Sequence, residues 1–245
     1  MENGFYLITG ASRGIGEALA QKILENGNTV LGVSRNRSDK LKSANYSHLS
    51  FNLTETARIS QIIDKVDEIV DNKKFDFICL VNNASAVEPI GSIERCSPTD
   101  IETHLTIGLI APMLLTSMFI RRFSGEKIRK KIGFISSRAA FNAMPDQSSY
   151  CSSKSGLNMF AQCIGLEQKN KNDEFEIISI GPGMVDTFMQ QTARSKTTEE
   201  YAIVDFFKQA FIEGKLQDPQ KVAEKIYTIL KNKYEQGKYV NVSEI

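Results

Sequence analysis

The chain has 245 residues, a length at which an α/β protein is commonly one domain with one core. Hydrophobic residues make up 41% and charged residues 24%, and 30 basic residues against 29 acidic ones leave a formal net charge of +1. This balance argues against a nucleic-acid-binding protein, which usually has a basic excess on one face. It also argues against an acidic disordered chain.

The cysteines and histidines indicate neither a disulfide framework nor a metal site. The four cysteines form no CxxC pair, and two histidines are too few for a convincing zinc site. We therefore expect no metal and a cytoplasmic protein with free thiols. The acidic residue at position 2 and the strand-like run 5–8 do not resemble a signal peptide. We also expect no membrane span, since about 18 consecutive apolar residues would be needed.

Short apolar runs alternate with longer amphipathic segments along the whole chain, as in stacked βαβ units. The predicted strands are 5–9, 29–34, 49–51, 77–81, 131–136, 176–180 and 239–242. The predicted helices are 15–25, 57–70, 100–123, 150–167 and 219–231. The fold class is therefore α/β, a Rossmann-type, doubly wound parallel sheet of seven strands with helices on both faces, in a single domain 1–245.

Within this domain we expect a cofactor-binding half, 1–135, and a catalytic and substrate-binding half, 136–245. The segment 187–214 is less regular than the rest, with a polar run at 192–200 and apolar Phe206, Phe207 and Phe211. Insertions of this kind often cover a ligand, so the segment is a candidate lid. The alternative is a surface helical hairpin without a gating role.

A glycine-rich loop, TGASRGIG at 9–16, follows the first strand and opens the first helix. In that position unpaired backbone N–H groups and the positive helix end can bind a dinucleotide pyrophosphate. Gly10 permits the tight turn, Gly14 the approach of the backbone to the phosphates, and Gly16 close packing of helix on sheet. Three further residues of this loop are predicted to contact the cofactor: Ser12, Arg13 and Ile15.

The end of the second strand predicts which nicotinamide cofactor is bound. It reads Val33-Ser34-Arg35, without the acidic residue that would bind the ribose 2′-hydroxyl of NAD. Arg13 and Arg35 could instead converge on the 2′-phosphate of NADP. We therefore expect NADPH/NADP+ as cofactor, with Ser34 and Arg35 in contact with it. The alternative is that Arg35 and Arg37 are solvated loop charges.

A tyrosine and a lysine one helical turn apart, Tyr150 and Lys154, form the candidate catalytic pair together with Ser137 at the end of a strand. Hydride delivery to a carbonyl carbon leaves an alkoxide that needs a proton, and a tyrosine with a pKa of about 10 is a poor donor at neutral pH. A nearby lysine cation would lower that pKa. The Ser137 hydroxyl could hold the carbonyl oxygen.

These motifs, in this order, resemble the short-chain dehydrogenase/reductase family over essentially the whole chain. The resemblance implies that Asn52 and Leu53 contact adenine, that Asn83 and Ala84 line the cofactor, and that Tyr150 and Lys154 also touch it. It implies that the segment after the sixth strand holds the nicotinamide through Pro182, Gly183, Val185 and Thr187. It further implies a homodimer formed by the helices 100–123 and 150–167.

Three positions depart from the family pattern. Ser85 stands where a glycine commonly follows Asn-Asn-Ala, and Asn52 replaces the usual aspartate. Gly108 aligns with an asparagine of the long central helix that helps hold a water next to the lysine. The proton relay must therefore differ here or use another group.

Within the family, the segment 183–191 with Ala193 and Arg194 resembles sepiapterin reductases and the related bacterial benzil reductases. Pterin-binding members carry an aspartate near the C-terminus where this chain has Asn241, which weakens a pterin assignment. The residues expected to touch substrate are Ser137, Phe141, Met144, Tyr150, Met184, Phe188, Met189 and Asn241. For the apolar ones, a purely structural place in the core is an equal alternative.

The expected function is NADPH-dependent reduction of small aromatic or vicinal dicarbonyl compounds, with Tyr150 as proton donor. An alternative within the family is a 3-oxoacyl or sugar-type reductase, which would want a more open or more polar pocket. A different alternative is a non-catalytic NADP(H)-sensing protein, favoured only by the glycine at position 108. The retention of Ser137, Tyr150 and Lys154 together argues against a sensor.

Overall fold

A computed structural model describes residues 3–245. Its centre is one seven-stranded, all-parallel sheet in the order β3-β2-β1-β4-β5-β6-β7. The strands are β1 (Gly4–Thr9), β2 (Thr29–Ser34), β3 (Tyr46–Ser50), β4 (Phe77–Asn82), β5 (Arg129–Ile135), β6 (Phe175–Gly181) and β7 (Lys238–Asn241). The predicted fold class is confirmed.

The inner strands are buried on both faces, which explains their continuous apolar sequences. Every residue of β1, β2 and β4 is buried. The edge strand β3 differs, because its sequence YSHLS buries only Tyr46. The prediction of a third strand at 49–51 was wrong at its start, since the polar residues 47 and 48 obscured a strand that begins at Tyr46.

Helices cover both faces of the sheet. They are α1 (Gly14–Glu25), α2 (Ser60–Val70), α3 (Pro98–Leu105), α4 (Ala111–Phe123), α5 (Ser148–Gln168), α6 (Phe188–Arg194), α7 (Val204–Ile212) and α8 (Pro219–Lys231). A π-helical turn, Thr106–Ile110, joins α3 to α4, so the predicted helix 100–123 is interrupted in its middle. Such turns often mark functional sites.

Two apolar layers hold the helices to the sheet. One layer contains Leu19 of α1 and Ile226 of α8, and the other contains Ile62 of α2, Leu115 of α4 and Leu157 of α5. Four of these side chains are fully buried and Leu157 is 2% exposed. Burial of one such side chain contributes about 1.5–3 kcal/mol.

The segment Pro98–Phe123 is long and apolar enough to cross a membrane by length and composition alone. The expectation that no segment reaches this length was therefore wrong. In the structure Leu115, Phe119 and Phe123 of this segment are packed into the core beside the sheet. A core helix satisfies the same criterion, so the segment is weak support for a membrane span.

The strand order places a crevice at the carboxyl end of the sheet. The chain passes from β1 to β2 and β3 on one side, and β4 lies beside β1 on the other. In open α/β sheets ligands bind at such a reversal of strand order. The loops after β1, β4, β5 and β6 all open at this edge, and they carry the predicted functional residues.

Candidate active site

The glycine loop has the conformation that the sequence predicted. Gly10 and Gly14 have φ angles of 71° and 60°, in the left-handed region that favours glycine. At Gly16 a Cβ atom would lie 2.3 Å from the Gly10 oxygen and 2.5 Å from the Asn83 amide nitrogen. A side chain at Gly16 would therefore collide with the loop itself. The loop ends at the N-terminus of α1 and forms a cradle that fits a bound pyrophosphate.

The loop after β4 is tied to the glycine loop by Asn83 and Thr9. The Asn83 amide donates to the Thr9 and Gly10 carbonyls at 2.8 and 3.2 Å. The Thr9 hydroxyl accepts from the backbone N–H groups of Asn83 and Ala84 at 3.0 and 3.1 Å. Ser12 and Ile15 lie partly buried in the same loop. The structure thus brings the glycine loop and the Asn83-Ala84 segment together.

The segment after β6 reaches over the glycine loop. Its turn uses Gly183 at a φ of 74°. Val185 forms a parallel bridge with Gln217, whose side chain also donates to the Pro182 carbonyl at 3.2 Å. Thr187 lies next to Gly14, since a Cβ there would be 3.3 Å from the Thr187 methyl carbon. The segment after β6 and the glycine loop are therefore in contact through Thr187 and Gly14.

The two arginines expected to share a phosphate do not lie together. Arg35 lines a cavity of about 180 Å³ with Asn52 and Arg58 beyond β2 and β3, whereas the guanidinium of Arg13 stacks on the Phe188 ring at 3.9 Å. Ser34 is buried, and its hydroxyl donates to the Asn36 carbonyl at 2.8 Å. Leu53 is buried at the same end of the sheet. The two side chains are therefore apart in this structure, and their convergence on a 2′-phosphate stays a prediction.

Ser137, Tyr150 and Lys154 come together where β5 ends and α5 begins. Ser137 caps a short 3₁₀ turn by accepting from the Ala139 N–H at 3.2 Å, and its side chain is a hydrogen-bond partner of Tyr150. Lys154 lies one turn along α5, with its ammonium 5.7 Å from the centre of the Tyr150 ring and 2.9 Å from the Ile135 carbonyl. Lys154 is 3% exposed.

Burial dominates the electrostatics of this pair. It lowers the pKa of Lys154 to about 8. It also raises the pKa of Tyr150, against a smaller lowering by the Ser137 hydrogen bond. The expected lowering of the tyrosine pKa by the lysine is not seen in this structure, in which the ammonium donates to the Ile135 carbonyl.

The central helix brings a histidine to this site. Gly108 is buried, and a Cβ there would lie 3.1 Å from the Cβ of Ser153, so a larger residue would require a small shift of the neighbouring helix. His104, one turn earlier, is 1% exposed, lies 3.0 Å from the Ser153 hydroxyl and meets the edge of Tyr150. His104 was not predicted, because the mostly polar sequence of α3, PTDIETHL, does not distinguish its one buried residue from the exposed ones.

The other residues predicted to touch substrate differ in their exposure and contacts. Phe141 is 57% exposed and packs edge-on against Tyr239 at 4.9 Å. Asn241 is buried, and its oxygen accepts from the N–H and hydroxyl of Ser243 in a capping box at the C-terminus. The three methionines named as pocket residues, Met144, Met184 and Met189, are partly buried.

The segment proposed as a lid is fastened to the loops around the site. Lys196 forms an ion pair with Glu88 at 2.9 Å, and the Ala202 N–H donates to the Asp146 carboxylate at 2.7 Å. Tyr201 is fully buried in a small apolar cluster with Ala193, Val204 and partly buried Ile90 and Phe207. Sequence analysis also missed Tyr201, whose burial depends on contacts with distant loops.

Comparison with known proteins agrees with this geometry. A family model for the short chain dehydrogenase matches residues 5–198. The chain is 34% identical over 247 residues to the benzil reductase ((S)-benzoin forming) of Bacillus cereus, covering 98% of this chain and 99% of that protein. It is 25% identical over 252 residues to the sepiapterin reductase of Bos taurus, covering 96% and 92%.

The fold comparison gives the same result. A crystal structure of a Saccharomyces cerevisiae short chain dehydrogenase/reductase superimposes with a TM-score of 0.84 at 21% identity, covering 98% of this chain and 96% of that one. The family model, the relatives and the fold therefore agree. The chain belongs to the short-chain dehydrogenase/reductase family and is an oxidoreductase acting on CH–OH and C=O groups.

Proposed function

We propose that this protein is an NADPH-dependent carbonyl reductase of small aromatic or vicinal dicarbonyl compounds, of the benzil reductase type. The observation that carries the proposal is the meeting of Ser137, Tyr150 and Lys154 beside a glycine loop shaped for a dinucleotide. The 34% identity with a benzil reductase over nearly the full length of both chains supports the substrate class.

The described residues divide the chemistry between them. Bound NADPH would supply the hydride. Ser137 holds and polarises the carbonyl oxygen, and Tyr150 donates the proton that the new alkoxide needs. Burial raises the pKa of Tyr150, so the phenol is protonated at neutral pH but is a weaker acid than a free tyrosine. The Lys154 ammonium is the cation that stabilises the tyrosinate formed when Tyr150 gives up its proton.

The cofactor would lie along the crevice between the glycine loop and the segment after β6. Gly10, Gly14 and Gly16 provide the cradle for the phosphates. Its adenine end would reach Asn52 and Leu53, its middle Asn83 and Ala84, and its nicotinamide end Pro182, Gly183, Val185 and Thr187. Arg35 and, after leaving Phe188, Arg13 would bind the 2′-phosphate, because no carboxylate follows β2 to receive a 2′-hydroxyl.

The pocket wall supports an aromatic substrate over a pterin. Phe141 and the partly buried Met144 and Met184 follow the strands that carry the catalytic groups. Asn241, at the position of the pterin-binding aspartate, has its oxygen engaged by Ser243. It therefore offers no free carboxylate to a charged pterin edge. The segment 187–214 would close over this pocket as a lid.

The assembly proposed is a homodimer through α4 and α5. Five large apolar side chains on this part of the chain are at least 36% exposed: Ile110, Met113, Leu114, Met159 and Leu166. An isologous two-fold contact would cover them. The four free cysteines fit a cytoplasmic location. Light scattering on the purified protein would test the dimer.

The test is consumption of NADPH with benzil, 1-phenyl-1,2-propanedione and sepiapterin in parallel. We expect the aromatic diketones to be reduced, Tyr150→Phe to abolish turnover while still binding NADPH, and Tyr234→Phe to behave as wild type. Reduction of 3-oxoacyl or sugar substrates in place of the diketones would favour the alternative reductases. Tight NADPH binding without turnover of any carbonyl would favour the sensor.

A further inference from the structure

His104 links three elements around the Tyr150–Lys154 turn. It lies in the last turn of α3, and its Nδ1 is 2.8 Å from the main-chain oxygen of Glu88 in the loop after β4. Its Nε2 is 3.0 Å from the hydroxyl of Ser153 on α5. Ser153 is the residue immediately before Lys154 and is itself fully buried. The imidazole thus bridges the β4 loop and the catalytic turn.

The partners of the ring determine its tautomer. A carbonyl oxygen can only accept, so the proton is on Nδ1, which donates to Glu88. In the neutral ring Nε2 is then an acceptor, and the Ser153 hydroxyl donates to it. The Ser153 hydroxyl also lies 2.9 Å from the Tyr150 carbonyl, the alternative acceptor for its single proton.

The surroundings favour the neutral ring. The titratable groups that face it are Tyr150 and Lys154 on α5; Glu88 contributes its backbone, while its carboxylate is paired with Lys196. Burial lowers the pKa of His104 below its ordinary value, and the nearby Lys154 cation lowers it further, against a smaller raising by the Glu88 carbonyl. Protonation would turn Nε2 into a donor and place a second cation beside Lys154.

Gly108 makes room for the Ser153–His104 contact. A Cβ at this position would lie 3.2 Å from the Ser153 hydroxyl oxygen and 3.9 Å from the His104 Nε2. The π-helical turn Thr106–Ile110 brings this glycine against α5. The glycine and the histidine therefore serve one contact between the central helix and the catalytic turn.

We propose that His104 is a positioning residue for the Tyr150–Lys154 turn, which its neutral imidazole fixes by accepting the hydroxyl proton of Ser153. The inference rests on the proposed reductase function only for its kinetic consequence. The tautomer of His104 and its hydrogen bond with Ser153 can be measured without any substrate.

The test without substrate uses the fact that the chain has only two histidines. In a ¹⁵N-histidine NMR spectrum of the full-length protein, the signals missing in His104→Gln identify His104, and His48→Gln is the matched control. We expect the Nδ1–H tautomer at neutral pH, titration below the ordinary histidine value, and a shift of the Nε2 signal in Ser153→Ala. An Nε2–H tautomer, or no response to Ser153→Ala, would overturn the proposal even if the enzyme is active.

The kinetic test compares two replacements. His104→Ala should lower kcat by about tenfold or more, since small misplacements of catalytic groups have effects of this size, while the Kd for NADPH stays unchanged. We expect kcat of wild type to decline at acid pH, where His104 is protonated and Nε2 can no longer accept. His104→Gln offers an uncharged acceptor to Ser153 at every pH, so it should keep most of kcat and show no such decline. A wild-type kcat in His104→Ala, or an acid decline that persists in His104→Gln, would overturn the proposal. If no carbonyl is turned over at all, the proposed function fails and the NMR result still decides the role of His104.

Discussion

The Lys154 ammonium donates to the main-chain carbonyl of Ile135 at 2.9 Å. Ile135 is the last residue of β5, two positions before Ser137. The lysine is therefore anchored to the same strand that carries the serine, and both groups move with the end of that strand. Burial of the ammonium lowers the pKa of Lys154 to about 8, and the first two predictions depend on this shift.

The first prediction concerns how the rate of the reaction depends on pH in the alkaline range. With the pKa of Lys154 lowered to about 8 by burial, the ammonium loses its proton as the pH rises through that value. Tyr150 stays protonated there, because burial raises its pKa. We expect kcat/KM for carbonyl reduction to fall above about pH 8. The measurement is a pH profile with the Kd for NADPH determined at each pH, and a profile that stays flat to strongly alkaline pH would contradict it.

The second prediction concerns stability. The folded-state pKa of Lys154 is about 8 against 10.5 for the free group, so the cost of the buried charge is present below pH 8 and disappears as the pH rises to 10.5. At about 1.4 kcal/mol per pKa unit, this cost is up to about 3 kcal/mol. Lys154→Met should therefore abolish turnover and raise the free energy of unfolding at neutral pH.

Urea unfolding at neutral and alkaline pH checks this second prediction. The difference in free energy of unfolding between Lys154→Met and wild type should shrink as the pH rises, because the buried ammonium of wild type then loses its proton. The exposed Lys42→Met is the control and should show no such pH dependence. A variant less stable than wild type at neutral pH would show that the Ile135 hydrogen bond outweighs the burial cost.

The third prediction concerns coenzyme choice. Replacing Arg13 and Arg35 by alanine should raise the KM for NADPH by roughly ten- to hundredfold, since each loses a charge-assisted hydrogen bond to the 2′-phosphate. The KM for NADH should change little. Arg37→Ala is a matched control, because Arg37 is an exposed arginine that lies over the Tyr46 ring. An equal rise in the KM for NADPH and for NADH would contradict the assignment of Arg13 and Arg35 to the 2′-phosphate.

The fourth prediction concerns the glycine cradle. Gly16→Ala would bring a Cβ to 2.3 Å from the Gly10 oxygen, so the loop must shift and we expect coenzyme binding to weaken at least tenfold while the sheet stays folded. Gly27→Ala is the comparison, because its φ is 78° but nothing lies within 4 Å. That variant should lose about 1–2 kcal/mol of stability and bind NADPH normally. Calorimetry of NADPH binding to both variants distinguishes a specific clash from a general loss of glycine.

Much of the fold could be predicted because its signals are local. The buried runs of β1, β2 and β4 and the glycine loop lie within short stretches whose residue types directly reflect burial or backbone conformation. Tyr150 and Lys154 are one turn apart on one helix, so their proximity follows from sequence spacing. The place of Ser137 follows from its position at the end of a strand.

What could not be predicted depends on contacts between distant segments. His104 and Ser153 are 49 positions apart, and a single histidine on the mostly polar helix α3 gives no local signal of its partner. Arg13 was expected at a phosphate, but the first residue of the lid segment's α6, Phe188, takes its guanidinium. The direction of the Tyr150 pKa shift also escaped prediction, since it depends on where the Lys154 ammonium points.

The contact between Arg13 and Phe188 makes coenzyme recognition and lid movement a single linked equilibrium. The guanidinium lies with its face on the ring of the first residue of α6, and the N–H groups at its edge are the ones that would donate to a 2′-phosphate. In the proposed enzyme Phe188 and the 2′-phosphate would therefore engage the same guanidinium, and binding of the phosphate and the position of α6 would affect each other by the same factor. We expect variants selected for a different nicotinamide coenzyme also to change the rate of product release.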